Sequence, residues 1–285
     1  MKTRGFSQEL KRARAEGYAV GAFNILNDLT SRSIIRAAEE ADCPLILQTS
    51  VATVKKFGIR ELGLMLRTLS EEAKVNVLIH LDHCTDPAFA KACVDTGCWD
   101  AVMYDGSKLP LEENLKNCID VVEYAHTRGV QVEGELGKIM GVEEEIKVTE
   151  ADATHATYEE SLYFVRESGV DALAPAIGTA HGVYKGVPKI NFDLVAQLRD
   201  SMDTPVVIHG GTGLSEETFL RLIRCGGCKV NVSTAIKHAY LDAAKAYFDV
   251  PHEKVDPLGF DRILEESVKN TAAEHIAIFT KERVK

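Results

Sequence analysis

The chain has 285 residues, 45% of them hydrophobic and 27% charged, and its 33 Lys and Arg against 43 Asp and Glu give a formal net charge of −10. Such a composition is typical of globular proteins and excludes a disordered or fibrous chain. The acidic balance argues against nucleic acid and anionic membranes as partners, and no apolar run reaches the roughly 18 residues that a transmembrane helix needs.

Short apolar runs alternate with longer amphipathic stretches along the whole chain. The apolar runs predict eight buried strands, at residues 19–25, 44–49, 75–81, 101–104, 131–136, 172–176, 205–209 and 228–232. The stretches between them predict helices at 31–41, 59–72, 87–96, 111–127, 158–167, 192–201 and 215–224. This α/β alternation without a linker predicts one domain over residues 1–285, a closed (β/α)8 TIM barrel, with a doubly wound open sheet as the runner-up.

Two segments are longer than the short loops expected between barrel elements. Residues 137–157 follow the fifth predicted strand, and residues 250–260 come near the end of the chain. Long loops in compact domains are usually functional lids or disordered segments. Residues 261–285 have the pattern of an amphipathic helix. We expect this C-terminal extension either to close the bottom of the barrel or to pack on a partner subunit.

Three of the nine histidines fall at or just past the ends of predicted strands. His83 follows the third strand, His181 follows the sixth, and His209 ends the seventh. Because the C-terminal ends of barrel strands form the active-site face, we expect these imidazoles to lie at one mouth of the barrel. A catalytic zinc ion uses three protein ligands and keeps one open position. The histidines therefore predict such a site, and hydrogen-bonding side chains are the ordinary alternative.

Carboxylates occur on the same predicted rim. Asp82 precedes His83 in the motif HLDH, Asp105 ends the fourth strand, and Glu135 ends the fifth. Neighbouring residues on a strand point to opposite faces, so a bend is needed for one of Asp82 and His83 to bind a metal while the other handles protons. The alternatives are that Asp82 orients a ligand histidine and that the other carboxylates form structural salt bridges.

Two loops near the end of the predicted barrel have the features of a phosphate site. The sequence HGGTG follows the seventh strand, and NVST follows the eighth and opens a helix. Barrels commonly bind phosphate between these two loops, through backbone N–H groups and a helix N-terminus. The candidate residues are Gly210, Gly211, Thr212, Asn231, Val232, Ser233 and Thr234.

The seven cysteines favour free thiols and a cytoplasmic location, because an odd number cannot pair fully within one chain. Cys225 and Cys228 form a Cys-x-x-Cys motif, which can be redox-active or half of a zinc site. This motif lies at the entry to the last strand, on the opposite face of the barrel from the histidines, and no second pair follows. We therefore expect both thiols to be structural.

The motifs HLDH, DGS, EGELG, GTAHG, HGGTG and NVST, in this order, resemble the class II zinc-dependent ketose-bisphosphate aldolases, which include the fructose- and tagatose-1,6-bisphosphate enzymes. The resemblance runs over residues 7–280 and implies a TIM barrel. It implies that His83, His181 and His209 hold the catalytic zinc. It also implies that Asp82 exchanges a proton with the C4 hydroxyl of the sugar, and that Glu143, in the long loop, moves a proton at C3.

The resemblance extends to further ligands and to the assembly. It implies that Asp105 and Glu135 serve a second divalent cation or support the ligands, that a monovalent cation (Na+ or K+) is bound, and that the chain forms a homodimer or homotetramer. It further implies that the substrate is a small phosphosugar, held as dihydroxyacetone phosphate at one end. The implied substrate-binding residues are Asn24, Ser50, Gly182, Gly210, Gly211, Thr212, Asn231, Val232, Ser233 and Thr234.

Two positions depart from the family pattern. The family usually has an arginine after an Asp-Pro near the C terminus, where it reaches the distal phosphate in a neighbouring subunit, but here Leu258 follows Asp256 and Pro257. Lys108 follows the DGS motif, where many relatives have histidine. The sequence therefore predicts either a 1,6-bisphosphate aldolase or an aldolase that uses a ketose 1-phosphate and a non-phosphorylated aldehyde.

Three other functions remain open from the residues. A metal-dependent hydrolase barrel also gathers His and Asp, but it usually needs a water-activating pair rather than two phosphate loops. A metal-free phosphosugar isomerase would keep its activity in the presence of a chelator. A non-catalytic partner subunit of an aldolase would keep the barrel, although the three histidines and Asp82 argue against it.

Overall fold

A computed structural model describes residues 4–143, 146–149, 153–182, 188–251 and 255–284. Eight of its strands are parallel and close into a barrel: β1 (Val20–Asn24), β2 (Leu45–Ser50), β3 (Val77–Cys84), β4 (Ala101–Tyr104), β5 (Gln131–Leu136), β8 (Ala172–Pro175), β10 (Val206–Ile208) and β11 (Gly227–Val232). Three short strands form a separate sheet: β6 (Met140–Glu143), β7 (Ile146–Val148) and β9 (Ala180–His181).

The barrel confirms the predicted fold. All eight predicted strands are present, and their ends differ from the predicted ones by no more than three residues. The pairing runs in order from β1 through β2, β3, β4, β5, β8, β10 and β11 and returns to β1, so the sheet is closed and the open sheet is wrong. The strands are buried on both faces, which explains why their sequences are almost continuously apolar.

The barrel strands alternate with helices, most of which form an outer layer around the barrel. Their bounds are α1 (Phe6–Glu16), α2 (Asp28–Glu40), α3 (Val51–Phe57), α4 (Ile59–Glu72), α5 (Pro87–Asp95), α6 (Leu111–His126), α7 (Tyr158–Ser168), α8 (Phe192–Ser201), α9 (Glu216–Cys225), α10 (Thr234–Phe248) and α11 (Pro257–Phe279). Within the described ranges, none of them combines the length and the apolar character needed to cross a bilayer.

Capping residues explain where two helices begin. α2 begins three residues before the predicted start because the Asn27 side chain accepts a hydrogen bond from the N–H of Thr30. α11 begins at Pro257, rather than at residue 261, because the Asp256 side chain accepts from the N–H of Gly259 and proline suits the first helical position. The second predicted loop is accordingly shorter than the sequence suggested.

The bottom of the barrel is filled by α1, a helix that the sequence analysis did not predict. Phe6, Leu10 and Ala13 follow one another at helical spacing and pack with the first inward-facing residues of the strands, such as Ile46 and Leu78. The C-terminal helix α11 instead packs on the outside, against α2 and α10. The expectation that the C-terminal extension closes the barrel bottom is therefore wrong.

The cysteines give a prediction for thiol chemistry. All seven are free; six are buried and Cys225 is partly exposed. Burial raises the pKa of Cys84 to about 11 and that of Cys228 to about 12. Because buried thiols with raised pKa values carry little thiolate, we expect a thiol reagent at pH 8 to modify Cys225 quickly and the other six slowly.

The two rates are measured from the time course of thiol modification, followed by the coloured product that the reagent releases. Cys225→Ser should lack the fast phase, and all remaining thiols should react after unfolding in urea. A second equally fast thiol in the native wild type would contradict the buried position of Cys228.

Candidate active site

β3 bends near its end, where Asp82 and His83 lie. Its pairing register with β4 shifts between Leu81 and Cys84, and His83 adopts a positive φ of 46°. This conformation costs a non-glycine residue roughly 1–3 kcal/mol and is common at functional sites. Because of the bend, both side chains are buried at the same end of the barrel, and His83 Nε2 lies 4.0 Å from Asp82 Oδ1.

His83 and His209 are in contact at this end of the barrel. Nδ1 of His209 is 3.0 Å from Nε2 of His83, and the rings meet edge to face with centroids 4.7 Å apart. Asp105 Oδ2 lies 3.0 Å from His83 Nδ1. Glu135 Oε2 lies 3.6 Å from Nδ1 of His83 and 3.5 Å from Nδ1 of His209. The structure thus brings two of the predicted histidines together with all three rim carboxylates.

Two overlapping groups of these side chains have the spacing of metal ligands. Asp82, His83 and His209 form one group, and His83, Asp105 and Glu135 form the other; within each, the ligand atoms lie within 4.8 Å of one another. Imidazole nitrogens and carboxylate oxygens are the donors that zinc uses in proteins. The groups share His83, an arrangement that fits a zinc site beside a second cation site.

Burial and neighbouring groups set the charges of these ligands. Burial lowers the pKa of His209 to about 4, although the hydrogen bond with Glu133 acts in the opposite direction. Burial alone would raise the pKa of Asp105, but the hydrogen bond and charge of His83 lower it to about 2. At neutral pH His209 is therefore neutral and Asp105 is anionic, the forms in which these groups bind a cation.

Both carboxylate oxygens of Asp82 accept hydrogen bonds from amides. Asn24 Nδ2 donates to Asp82 Oδ2 at 2.8 Å, and Asn231 Nδ2 donates to Asp82 Oδ1 at 3.2 Å. Gln48 Nε2 in turn donates to Asn24 Oδ1 at 3.1 Å. Asn24 and Asn231, which the resemblance assigns to substrate, therefore also hold the carboxylate assigned to proton transfer.

The two predicted phosphate loops lie at the same end of the barrel. Gly210, with a positive φ of 70°, follows His209 directly. α10 begins at Thr234 with Ser233 at its N-cap, and Ser233 makes no side-chain cap hydrogen bond. The first N–H groups of a helix attract anions, so this end of α10 suits a phosphate. Ser50, another predicted substrate residue, caps α3 by accepting from the N–H of Thr53 at 3.2 Å.

Two predicted residues are described only through their backbone. Glu143 lies in β6 and His181 in β9, and these strands pair with Gly141 opposite His181; the two side chains lie outside the described part of the structure. A Cβ atom at Gly210 would lie 2.6 Å from the carbonyl oxygen of Ala180, so β9 passes directly over the loop after β10. The backbone of His181 is therefore close to that of His209.

Sequence reasoning missed a second set of buried polar residues inside the barrel. These are Gln48, His80, Glu133 and Lys229, all completely buried. The signal was their spacing: His80, Glu133 and Lys229 each lie two residues before a rim residue on the same strand, and strand residues two apart share a face.

Comparisons with known proteins are consistent with this arrangement. A family model for class II fructose-bisphosphate aldolase matches residues 5–283. The chain is similar to the YdjI aldolase from Escherichia coli K12, with 29% identity, a TM-score of 0.84 and 96% of each chain covered. It is also similar to a candidate fructose-1,6-bisphosphate aldolase from Coccidioides immitis, with 25% identity, a TM-score of 0.90 and coverage of 98% of this chain and 97% of that one.

A third crystal structure shows the same fold at lower identity. It is the fructose-bisphosphate aldolase Fba from Campylobacter jejuni, with 21% identity, a TM-score of 0.76 and coverage of 96% of this chain and 92% of that one. The family match over nearly the whole chain confirms the resemblance that the motifs indicated. The protein belongs to the class II fructose-bisphosphate aldolase family, a family of lyases.

Proposed function

We propose that the protein is a metal-dependent aldolase that reversibly cleaves a ketose 1,6-bisphosphate, of the fructose or tagatose type, into dihydroxyacetone phosphate and glyceraldehyde 3-phosphate. The observation that carries the proposal is the buried group of Asp82, His83 and His209, with ligand atoms within 4.8 Å of one another. Two loops suited to phosphate lie on the same face of the barrel. Membership of the family supports the same reaction class.

The residues present fit a divalent cation. His83, His209 and, through the resemblance, His181 would hold Zn2+, while Asp105 and Glu135 would hold a second divalent cation or support His83 as a ligand through its Nδ1. The loop after β10 would hold a monovalent cation, Na+ or K+. A bound zinc ion supplies Lewis-acid stabilisation for the negative charge that develops as the C3–C4 bond breaks.

The protein's own side chains would move the protons. Asp82 takes the proton of the C4 hydroxyl while the C3–C4 electron pair remains on C3, and the aldehyde leaves. Glu143 then delivers a proton to C3, which completes dihydroxyacetone phosphate. Asn24 and Asn231 keep Asp82 in place by binding both of its oxygens. The phosphate loops fix the register of the substrate, so that the scissile bond lies beside Asp82.

We also propose, from the same resemblance, that the protein is a cytoplasmic homodimer or homotetramer. In the family, a neighbouring subunit completes the distal phosphate site. Analytical ultracentrifugation tests the assembly: a monomer at micromolar concentration would contradict it.

A second candidate function follows from Leu258. This residue lies in the first turn of α11 and is 70% exposed. A leucine cannot bind phosphate, and the nearby Arg262 Nη2 lies 3.4 Å from Asp256 Oδ2. The alternative substrate is therefore a ketose 1-phosphate, made from dihydroxyacetone phosphate and a non-phosphorylated aldehyde.

One experiment tests the proposed reaction and its competitors. Dihydroxyacetone phosphate is offered with a panel of phosphorylated and plain aldehydes, with and without a chelator, and each product's stereochemistry is identified. We expect carbon–carbon bond formation that the chelator abolishes. Activity that survives the chelator would favour a metal-free isomerase, phosphate release without triose formation would favour a hydrolase, and an inactive isolated chain would favour a partner subunit.

The presence of Leu258 predicts that the distal phosphate contributes little to kcat/KM. We expect the wild type to cleave a ketose 1,6-bisphosphate less than about tenfold better than its 1-phosphate in kcat/KM, because a charge-assisted phosphate contact worth about 1.4 kcal/mol or more is absent. Leu258→Arg should raise this ratio by roughly tenfold, and Leu258→Met should leave it unchanged. A wild-type ratio far above about a hundredfold would show that another side chain binds the distal phosphate.

A further inference from the structure

A buried ion pair lies inside the barrel, one layer closer to the N-terminal ends of the strands than the candidate site. Lys229 Nζ is 2.9 Å from Glu133 Oε2, and both side chains are completely buried. His80 Nε2 lies 3.4 Å from the same carboxylate oxygen. We call His80, Glu133 and Lys229 the ion-pair layer.

The layer is unusual for its position. Barrel interiors are filled mainly by branched apolar side chains, and the next layer down follows that rule with residues such as Ile46 and Leu78. Removing two charges from water is costly, and well-packed apolar residues often replace a buried ion pair without loss of stability. Stability alone therefore does not account for the ion-pair layer, whereas its contacts to the layer above suggest a role there.

The first contact reaches His209. Glu133 Oε1 lies 2.8 Å from His209 Nε2, and a carboxylate can only accept, so Nε2 carries the proton. Nδ1 is then unprotonated and faces the candidate metal group, 3.0 Å from His83 Nε2. Asn231 Nδ2 also lies 3.2 Å from His209 Nε2, but with Nε2 protonated that amide donates to Asp82 instead.

The second contact reaches Asp82 through an amide. Lys229 Nζ donates to Asn231 Oδ1 at 2.8 Å, which leaves Asn231 Nδ2 to donate to Asp82 Oδ1 at 3.2 Å. An ammonium group has only donors, so it can bind the Asn231 side chain only through the amide oxygen, which fixes the orientation of the amide. Without it, the Asn231 side chain is free to turn its oxygen toward the Asp82 carboxylate, where the two would repel.

The ion-pair layer is closed from below by α1. The Phe6 ring stacks on the His80 ring with centroids 5.3 Å apart and an interplanar angle of 16°. Phe6, like His80, is almost completely buried. The contacts of Glu133 and Lys229 are therefore made away from bulk water, where hydrogen bonds between charged groups orient their partners strongly.

We infer that Glu133 and Lys229 are positioning residues for the proposed reaction: Glu133 holds His209 with Nδ1 toward the metal site, and Lys229 holds Asn231 with its amide donating to Asp82. This role rests on the proposed function, because the orientation of His209 and Asn231 matters for catalysis only if the site carries out that reaction. One ion pair thus orients both a metal ligand and the group assigned to proton transfer.

The test uses the full chain with four variants, one of which, Lys229→Met, removes only the charge that orients Asn231. Glu133→Gln removes the charge that fixes His209, and the double variant Glu133→Gln with Lys229→Met removes both charges, so that no single buried charge is left if a single variant fails to fold. Glu9→Gln is the matched control, because Glu9 is an equally buried carboxylate in α1, bound by Tyr18 and Asn76 at the barrel bottom. Thermal unfolding of all four variants reports how much stability each substitution costs, apart from any effect on the site.

The decisive readouts are the 15N chemical shifts of the His209 ring in the metal-free chain and the Zn2+ dissociation constant from competition with a chelating dye. We expect the wild type and Glu9→Gln to show a proton on Nε2 only. In Glu133→Gln, or in the double variant if the single one does not fold, we expect a mixture of tautomers and about 10–100-fold weaker zinc binding. Lys229→Met should lower kcat by about tenfold or more with little change in KM and keep zinc bound.

An unchanged His209 tautomer and unchanged zinc affinity in the Glu133 variants, with only the loss of stability that Glu9→Gln shows, would overturn the inference. Failure of the proposed function gives a different result: the wild type would bind no zinc and cleave no ketose phosphate. The tautomer of His209 is measured without metal or substrate, so it reports on Glu133 in either case.

Discussion

His209→Ala will abolish metal-dependent turnover. His209 is buried, lies 3.0 Å from His83, and belongs to the group whose ligand atoms lie within 4.8 Å of one another. Removing His209 takes away one ligand of the proposed zinc ion. A bound zinc ion contributes several kcal/mol of charge stabilisation in the transition state. Since each 1.4 kcal/mol changes a rate tenfold, we expect kcat/KM to fall by about a thousandfold or more.

The measurement is retro-aldol cleavage with added zinc, repeated after treatment with a chelator. The matched control is His126→Ala, which removes another imidazole near a carboxylate, 2.8 Å from Asp171, but on the exposed surface of α6. We expect this control to keep wild-type rates. Near-normal rates in chelator-treated His209→Ala would overturn the assignment of His209 to the metal.

Asp82→Ala will lose cleavage and keep zinc. General acid–base catalysis by a positioned side chain contributes about 10²–10⁴-fold to a rate, so we expect kcat to fall by that range. Zinc should stay bound, because His83, His209 and the predicted His181 remain. The amides of Asn24 and Asn231 lose their acceptor, so a modest loss of stability accompanies the change.

Zinc content and kcat measured on the same sample separate two roles for Asp82. Its carboxylate lies in the same candidate metal group as His83 and His209, so a direct metal contact is the competing role. Loss of zinc together with activity would show that Asp82 is a ligand rather than the proton acceptor. Asp86→Ala is the control: it removes a carboxylate four residues away that caps α5, and should affect stability only.

The barrel could be predicted because its strands are buried on both faces. A run such as residues 77–81 has few alternatives to a buried strand when helical patterns flank it, and eight repetitions imply closure. α1 was missed because its apolar stripe is narrow: Phe6, Leu10 and Ala13 are its only apolar residues in the core cluster, they lie among charged residues, and Gly5 offers no side-chain cap. Its place under the barrel depends on tertiary packing.

The rim of the site could be predicted, whereas the contacts within the layer below it could not. His83, His209, Asp105 and Glu135 were found because chemistry-bearing residues at strand ends share one face of a barrel. Lys229 lies within a strand, where local pattern indicates only a buried segment. Whether such a charge meets Glu133 depends on the register between distant strands, which no short stretch of sequence contains.

The long segment after β5 was predicted as a loop, yet it contributes β6, which pairs with β9. Glu143 lies in β6 and His181 in β9, so the two residues belong to strands that are joined by main-chain hydrogen bonds. A movement of β6 away from the barrel must therefore either break the main-chain hydrogen bonds to β9 or displace β9 as well. In the proposed reaction, the residue assigned to proton delivery at C3 and the histidine assigned to the metal would therefore be mechanically coupled through the main chain.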